Sequence, residues 1–162
     1  MTTPFSIRPA EFPRDRSLAL AFIDGLQEFE YTVEKNRRLD ATVAAEHFAM
    51  LERDFAKHPH AVFIAEAPDG AALGWAVVVE REMDVYVVEA DRRVAYLQEL
   101  YLVEAARGIG AGRALMAACE DWARAHKIPV MHIGVVAGNT RAHDIYKAAG
   151  FVDYAVDLRK YL

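Results

Sequence analysis

The sequence predicts an α/β fold, a mixed sheet with helices on its faces. Three observations carry that expectation. Apolar residues recur at helical spacing in two early segments and one late one, short strand-like runs lie between them, and a glycine-rich loop joins a strand to a helix. The chain has 162 residues, the size of one domain spanning 1–162. A chain of that length buries about 70% of its unfolded surface. With 54% hydrophobic and 27% charged residues, it falls outside the disordered and fibrous classes.

Residues 5–8 suit a short strand closed by Pro9, and Pro13 and Asp15 suit the first turn of a helix. Leu18, Phe22, Leu26 and Phe29 repeat at helical spacing on that helix. Asp40 is placed to cap a second helix, along which Ala44, Phe48, Leu51 and Phe55 form a stripe ended by Lys57-His58-Pro59. Strands are expected at 61–66 and 73–79, joined by Pro68-Asp69-Gly70, and again at 94–103. Residues 80–93 are ambiguous between strand and connection. A helix over 111–126 carries Leu115, Cys119 and Trp122 on one face, and a strand follows over 129–136. A short helix over 139–149 ends at Gly150, and the alternating tail suits a last strand.

Charge and cysteine content narrow the function. A formal net charge of −5 lacks the basic face of a nucleic-acid protein and is compatible with a cationic partner. The single cysteine, Cys119, excludes an intrachain disulfide and any cysteine-rich zinc site. His58 and His60 flank Pro59 with no third ligand at suitable spacing, so no metal is expected. Residues 1–12 lack the apolar run of a signal peptide. The longest uncharged apolar stretch, 71–79, falls short of the ~20 residues of a membrane span. The expectation is a soluble, cytoplasmic protein without a membrane partner.

The chemistry-bearing segment is Arg107-Gly108-Ile109-Gly110-Ala111-Gly112, between a strand and a helix. Such a loop lets backbone N–H groups close on an anion at the positive end of the helix. A nucleotide P-loop requires Gly-Lys-Ser/Thr, but Gly112 is followed by Arg113 and Ala114. A dinucleotide fingerprint requires glycine at Arg113 or Leu115, and no ribose-binding acid follows. The surviving pattern is Arg/Gln-x-x-Gly-x-Gly/Ala. It resembles the pyrophosphate loop of the Gcn5-related N-acetyltransferase (GNAT) family, which Arg107, Gly110 and Gly112 match. Leu100-Tyr101-Leu102 stands where the family's preceding strand ends. Asn139, Ala142, Tyr146, Gly150 and Phe151 match its closing strand–Asn–helix–Tyr–Gly-Phe pattern. These motifs cover about a third of the chain.

The resemblance implies a mixed, mostly antiparallel central sheet of six or seven strands with about four helices. It implies acetyl-CoA as donor and direct transfer to a primary amine in a ternary complex. Within the family the chain looks most like the small-amine enzymes of the diamine and thialysine type, with similarity at 26–34, at 58–68 and at Tyr96-Leu97-Gln98-Glu99. Polyamine-acetylating relatives carry a carboxylate where Gln98 stands, with Glu99 next to it here. The family pattern assigns acetyl-CoA to Leu100, Tyr101, Leu102, Arg107, Gly108, Ile109, Gly110, Ala111, Gly112 and Arg113, and to Asn139, Thr140, Arg141 and Ala142.

A lysine-like amine, with a pKa of about 10.4, must lose a proton before it attacks. Glu99 is the candidate base, directly or through water, and the resemblance implies Tyr146, at the family's tyrosine position, as proton donor to the departing thiolate. Glu28, Glu30 and Gln98 are the candidate acceptor residues. Alternation places Glu99 and Tyr101 on one strand face and Gln98 and Leu100 on the other. Plainer readings make Glu99 a salt-bridged residue, Tyr146 a packed aromatic, Arg107 a loop buttress and the acidic helix face merely solvated. Alternatives for the whole chain are a protein or peptide N-terminal or lysine acetyltransferase and a non-catalytic acetyl-CoA-binding domain. A homodimer is expected through exposed strand edges near the C-terminus.

Overall fold

The computed structural model describes residues 4–162. Their elements run β1 (Ser6–Pro9), α1 (Arg16–Val33), α2 (Val43–Phe55), β2 (His60–Glu66), β3 (Ala72–Glu82), β4 (Arg93–Leu102), α3 (Ala111–Ala125), β5 (Val130–Ile133) and α4 (Thr140–Ala148). Single 3₁₀ turns at Glu89–Asp91 and Glu104–Ala106 flank β4. Spatial strand order equals sequence order, β1 to β4 antiparallel and β5 parallel to β4. The mixed, mostly antiparallel sheet with four α-helices is as expected.

The strand count is corrected from six or seven to five among the described residues. Residues 151–162 form no strand, although Val152, Tyr154, Val156 and Leu158 alternate and are 64–94% exposed. Alternation makes a strand only where a sheet edge takes up the backbone groups. Charge pairs hold this segment elsewhere. Asp153 meets His143 at 2.7 Å and Lys147 at 3.4 Å on α4, and Arg159 meets Glu34 at 2.9 Å beside the end of α1.

Two apolar layers sandwich the sheet. Phe22 and Ile23 of α1 and Phe48 and Leu51 of α2 pack on Val62, Ile64, Trp75, Val77 and Val79. Leu115, Met116 and Cys119 of α3 pack on Ala76, Val78, Ala95 and Leu97 on the other face. The strand period of two thus sends alternate residues of β2 and β3 into different layers.

Two element starts differ from expectation. Asp15 precedes α1 but makes no side-chain cap. It is buried, taking two N–H groups of Arg8 at 2.7 and 3.1 Å and the backbone N–H of Glu11 at 2.7 Å. The Arg8 guanidinium holds its carboxyl well below the usual range, so the pair pins β1 to the start of α1. Asp40 accepts the N–H of Thr42 at 3.1 Å, and α2 begins one residue later. The ambiguous stretch 80–93 resolves into both of its options. Glu80, Arg81 and Glu82 extend β3 against Arg93, Val94 and Ala95, and the remainder is a connection with Val85, Tyr86 and Val88 exposed.

Gly25, inside α1, is explained by Tyr101 of β4, whose ring also meets Phe22 at 5.9 Å. A Cβ at Gly25 would come within 2.3 Å of the Tyr101 hydroxyl. Leucine favours helix over glycine by up to about 1 kcal/mol, yet Gly25→Leu is expected to destabilise the protein by about 2–3 kcal/mol through overpacking. Denaturant unfolding checks this; a stabilised variant would contradict the packing of Tyr101 on α1.

Candidate active site

The sheet opens where β4 and β5 part. Their pairing runs only from Val94–Val130 to Leu97–Ile133, whereas β4 continues beside β3 to Leu102. Residues 98–102 therefore have a strand neighbour on one side only. A bulge sits at the parting point. Val77 pairs with Glu99 and Val78 with Leu97, which leaves Gln98 unmatched. An inserted residue breaks the alternation of a strand, so the expected opposition of Gln98 and Glu99 does not hold. Both face α1 and α2. Gln98 lines a cleft with Glu30, and its Oε1 lies 3.4 Å from Arg81, which binds Asp54 of α2 at 2.6 Å. Glu99 meets His47 of α2.

That cleft encloses about 450 Å³. Its walls are Glu30 and Glu34 from α1 and its end, Arg37 from the following loop, Tyr96 and Gln98 from β4, Gly134, Val135 and Val136 after β5, and Arg159 from the tail. Its acidic groups are already matched. Glu30 pairs with Arg37 at 2.5 Å and Glu34 with Arg159 at 2.9 Å. Glu28 is exposed and is not among the cleft-lining residues.

On the other face, Leu100 and Leu102 pack against the α3 layer, leaving only their backbones at the parting edge. Past the 3₁₀ turn, Gly108 and Gly110 adopt φ of +83° and +94°, backbone states that side chains disfavour. A Cβ at either would meet nothing within 4 Å, so the loop borders open space. Ile109 and Arg113 are exposed and Ala111 is buried, while a Cβ at Gly112 would press within 3.2 Å of Leu102. Arg107 lies over the Phe29 ring at 5.4 Å, the buttressing geometry. Asn139 accepts the N–H of Ala142 at 3.2 Å and caps α4, with Thr140 and Arg141 exposed beside it.

Two titratable groups stand out. Tyr146, half-buried with its ring 6.0 Å from Phe151, has its phenol pKa pushed up to about 12 by burial and, secondarily, by the charge of Glu30. It therefore keeps its proton at neutral pH and lies within electrostatic range of the cleft. Glu99 is 5% exposed, and its Oε1 lies 2.6 Å from Nε2 of His47. By contrast Cys119, whose thiol is pushed up to about 12 by burial, is part of the α3 packing. Among the described residues no group of three His, Cys, Asp or Glu side chains is placed to hold a metal ion. No helix among them is long and apolar enough to cross a membrane.

Residues 22–151, well over half of the chain, match the family model described as the acetyltransferase (GNAT) family. The chain belongs to the GNAT family. Among its GNAT relatives, an aminoglycoside N(6')-acetyltransferase type 1 of Klebsiella aerogenes is 39% identical over 98 residues, 60% of this chain and 62% of that protein. The match thus spans less than two thirds of that relative's length. The GNAT fold recurs in a tetramutant of the BH1408 protein from Bacillus halodurans, at a TM-score of 0.82 and 17% identity over 97% of this chain and 99% of that one. It recurs in AAC(6')-Iy bound to the bisubstrate analogue CoA-S-monomethyl-acetylneamine, at 0.65 and 24% over 98% and 99%.

Sequence reasoning named Glu30, Gln98, Glu99 and Tyr146 but passed over His47, Arg37 and Arg159. For His47 a signal existed. It falls three residues after Ala44 and four before Leu51, at the margin of the buried stripe of α2. Arg37 and Arg159 reach the cleft from irregular segments, which carry no periodicity to place them.

Proposed function

We propose that this chain transfers the acetyl group of acetyl-CoA directly to the primary amine of a small molecule, with both substrates bound together. The observation that carries this reading is the parting of β4 from β5. It leaves an unpaired strand edge between a glycine loop on one face and a polar cleft on the other. Acetyl-CoA supplies an activated thioester carbonyl, a thiol leaving group and an anionic handle.

The residues present fit that donor. The free edges of Leu100, Tyr101 and Leu102 suit the amides of a pantetheine arm, which would add to β4 as a strand does. The amides of Gly108, Ile109, Gly110, Ala111, Gly112 and Arg113 suit a pyrophosphate at the positive end of α3, with open space around Gly108 and Gly110. Asn139, Thr140, Arg141 and Ala142, at the start of α4, would line the other side of the donor. The acceptor amine enters the cleft beside Gln98 and Glu30, and Glu28 contributes only at long range.

Two protons leave the acceptor nitrogen, and each has a destination. Glu99 takes the first from the ammonium, directly or through one water, and frees the lone pair for attack on the acetyl carbon. As the carbon–sulfur bond breaks, Tyr146 gives its phenol proton to the sulfur and recovers one from the newly acylated nitrogen. Glu99 then returns its proton to solvent. Tyr146 holds its proton at neutral pH and so has one to give when the sulfur departs; burial, which raises its pKa, makes it a weaker acid and not a stronger one.

Arg37 and Arg159 stand in the wall of the cleft beside Glu30 and Glu34, with which they pair. The likeness to an aminoglycoside acetyltransferase makes aminoglycosides the first acceptors to try. We also propose that the chain pairs with itself through residues 151–162. This segment carries the alternation of a strand without a sheet, and β5 is an edge strand without a second neighbour. A second copy supplies both missing halves at once. Light scattering is expected to give twice 18.1 kDa, and Val156→Asp to restore a monomer; a monomeric native protein would contradict this pairing.

Acetyl-CoA is expected to raise the melting midpoint where NAD and ATP do not, and no response to acetyl-CoA would overturn the reading. An acceptor panel of aminoglycosides, polyamines, thialysine, amino acids and peptides, read by CoA release, then names the amine. Tyr146→Phe is expected to lower kcat about 100-fold with acetyl-CoA affinity unchanged. Unaltered turnover would remove Tyr146 from the mechanism.

A further inference from the structure

Two carboxylates are buried among the described residues, Asp15 and Glu99, and they are held in opposite ways. Both oxygens of Asp15 are occupied, by the permanently charged Arg8 and by a backbone N–H. That is a carboxylate built to stay as it is. Glu99 has one protein partner, His47 at Oε1, and its partner titrates near neutral pH. Its Oε2 has no hydrogen-bond partner among the described residues and is not completely buried.

His47 comes from α2, which supplies none of the residues lining the cleft. Its side chain is 28% exposed against 5% for Glu99, so of the two partners the imidazole is the one in contact with solvent. The charged groups around the pair are few. Glu99 faces His47 from β4 and Glu30 acts on it from α1. Arg37, from the loop after α1, is committed to Glu30. From β3, Arg81 is committed to Asp54, which α2 itself contributes.

We propose that His47 is a positioning residue for Glu99: its Nε2–H fixes Oε1, leaves Oε2 as the proton-accepting atom, and turns acetyl transfer off when the imidazole becomes charged. This inference rests on Glu99 as the base. With His47 neutral, the carboxylate keeps its full charge for the proton of the acceptor ammonium. The N–H bond of the ammonium breaks, an O–H bond forms at Oε2, and the proton leaves to water after transfer. With His47 protonated, the same carboxylate is engaged in an ion pair and competes poorly for that proton.

The hydrogen bond to Glu99 raises the pKa of His47 above its ordinary value, burial opposes the shift, and the charges of Glu99 and Glu30 add to it. The imidazolium therefore persists to higher pH than an ordinary histidine, about 6.5. Activity rises with pH as it is lost.

Two measurements test the pairing and its role. Nitrogen NMR of the six histidines is expected to show His47 titrating above the ordinary histidine range in the native protein, and lower in Glu99→Gln. The pH profile of kcat, with saturating acetyl-CoA and the fastest acceptor of the panel, is expected to show a step at the His47 midpoint. His47→Gln keeps a donor at Oε1 but cannot titrate. It is expected to retain kcat within a factor of about three while losing the step. His47→Ala is expected to lose about 10-fold in kcat with KM for acetyl-CoA unchanged. A His47→Gln variant that keeps the step, or a His47 midpoint that is the same in Glu99→Gln, overturns the inference alone. Glu99→Gln with native kcat overturns the role of Glu99, and the inference with it.

Discussion

The inserted residue in β4 governs the rest of the site. Gln98 has no partner on β3, and the pairing of β4 with β5 ends one residue before it. A bulge bends its strand and sharpens the local twist. The sheet keeps its continuity through β3 and loses it toward β5. The same insertion turns Gln98 and Glu99 toward one face, so the polar groups that a regular strand would divide between two layers meet the helices α1 and α2 together. Tyr101, two residues on, returns to that face and locks β4 against α1 at Gly25.

The charges of the cleft form matched pairs and not a negative well. Glu30 with Arg37 and Glu34 with Arg159 are partly exposed, and such pairs contribute at most about 1 kcal/mol. They can therefore exchange partners with an incoming ammonium at little cost. In the proposed reaction Glu99 and Tyr146 are both largely withdrawn from bulk solvent. The contrast of Glu99 with Asp15 separates two uses of one residue type. A saturated carboxylate ties β1 to α1, and a half-occupied one stands beside a titratable partner.

Most of the fold was legible because its signals are local. The stripes of Phe22 and Ile23, of Phe48 and Leu51, and of Leu115 and Cys119 mark helical faces that are buried as their spacing implies. The loop from Arg107 to Gly112 was legible because its glycines stand where φ is positive or a helix meets a strand. The family pattern marked Tyr146. Three things were not legible. The bulge depends on how β4 registers with β3, which neither strand encodes alone, and so the facing of Gln98 was misassigned. The tail alternates like a strand, but its charges are held by His143, Lys147 and Glu34. His47 and Glu99 lie 52 positions apart, and only the packing of α2 on the sheet brings them together.

In the proposed reaction the parting of β4 from β5 seats the acetyl donor. Amide hydrogen exchange with and without acetyl-CoA reads that edge residue by residue. Outward-facing amides among residues 98–102 and those of Gly108, Gly110 and Gly112 should exchange more slowly with the donor bound, while the edge of β1 is unchanged. Equal exchange across residues 98–102 in the two states, with acetyl-CoA demonstrably bound, would place the donor elsewhere.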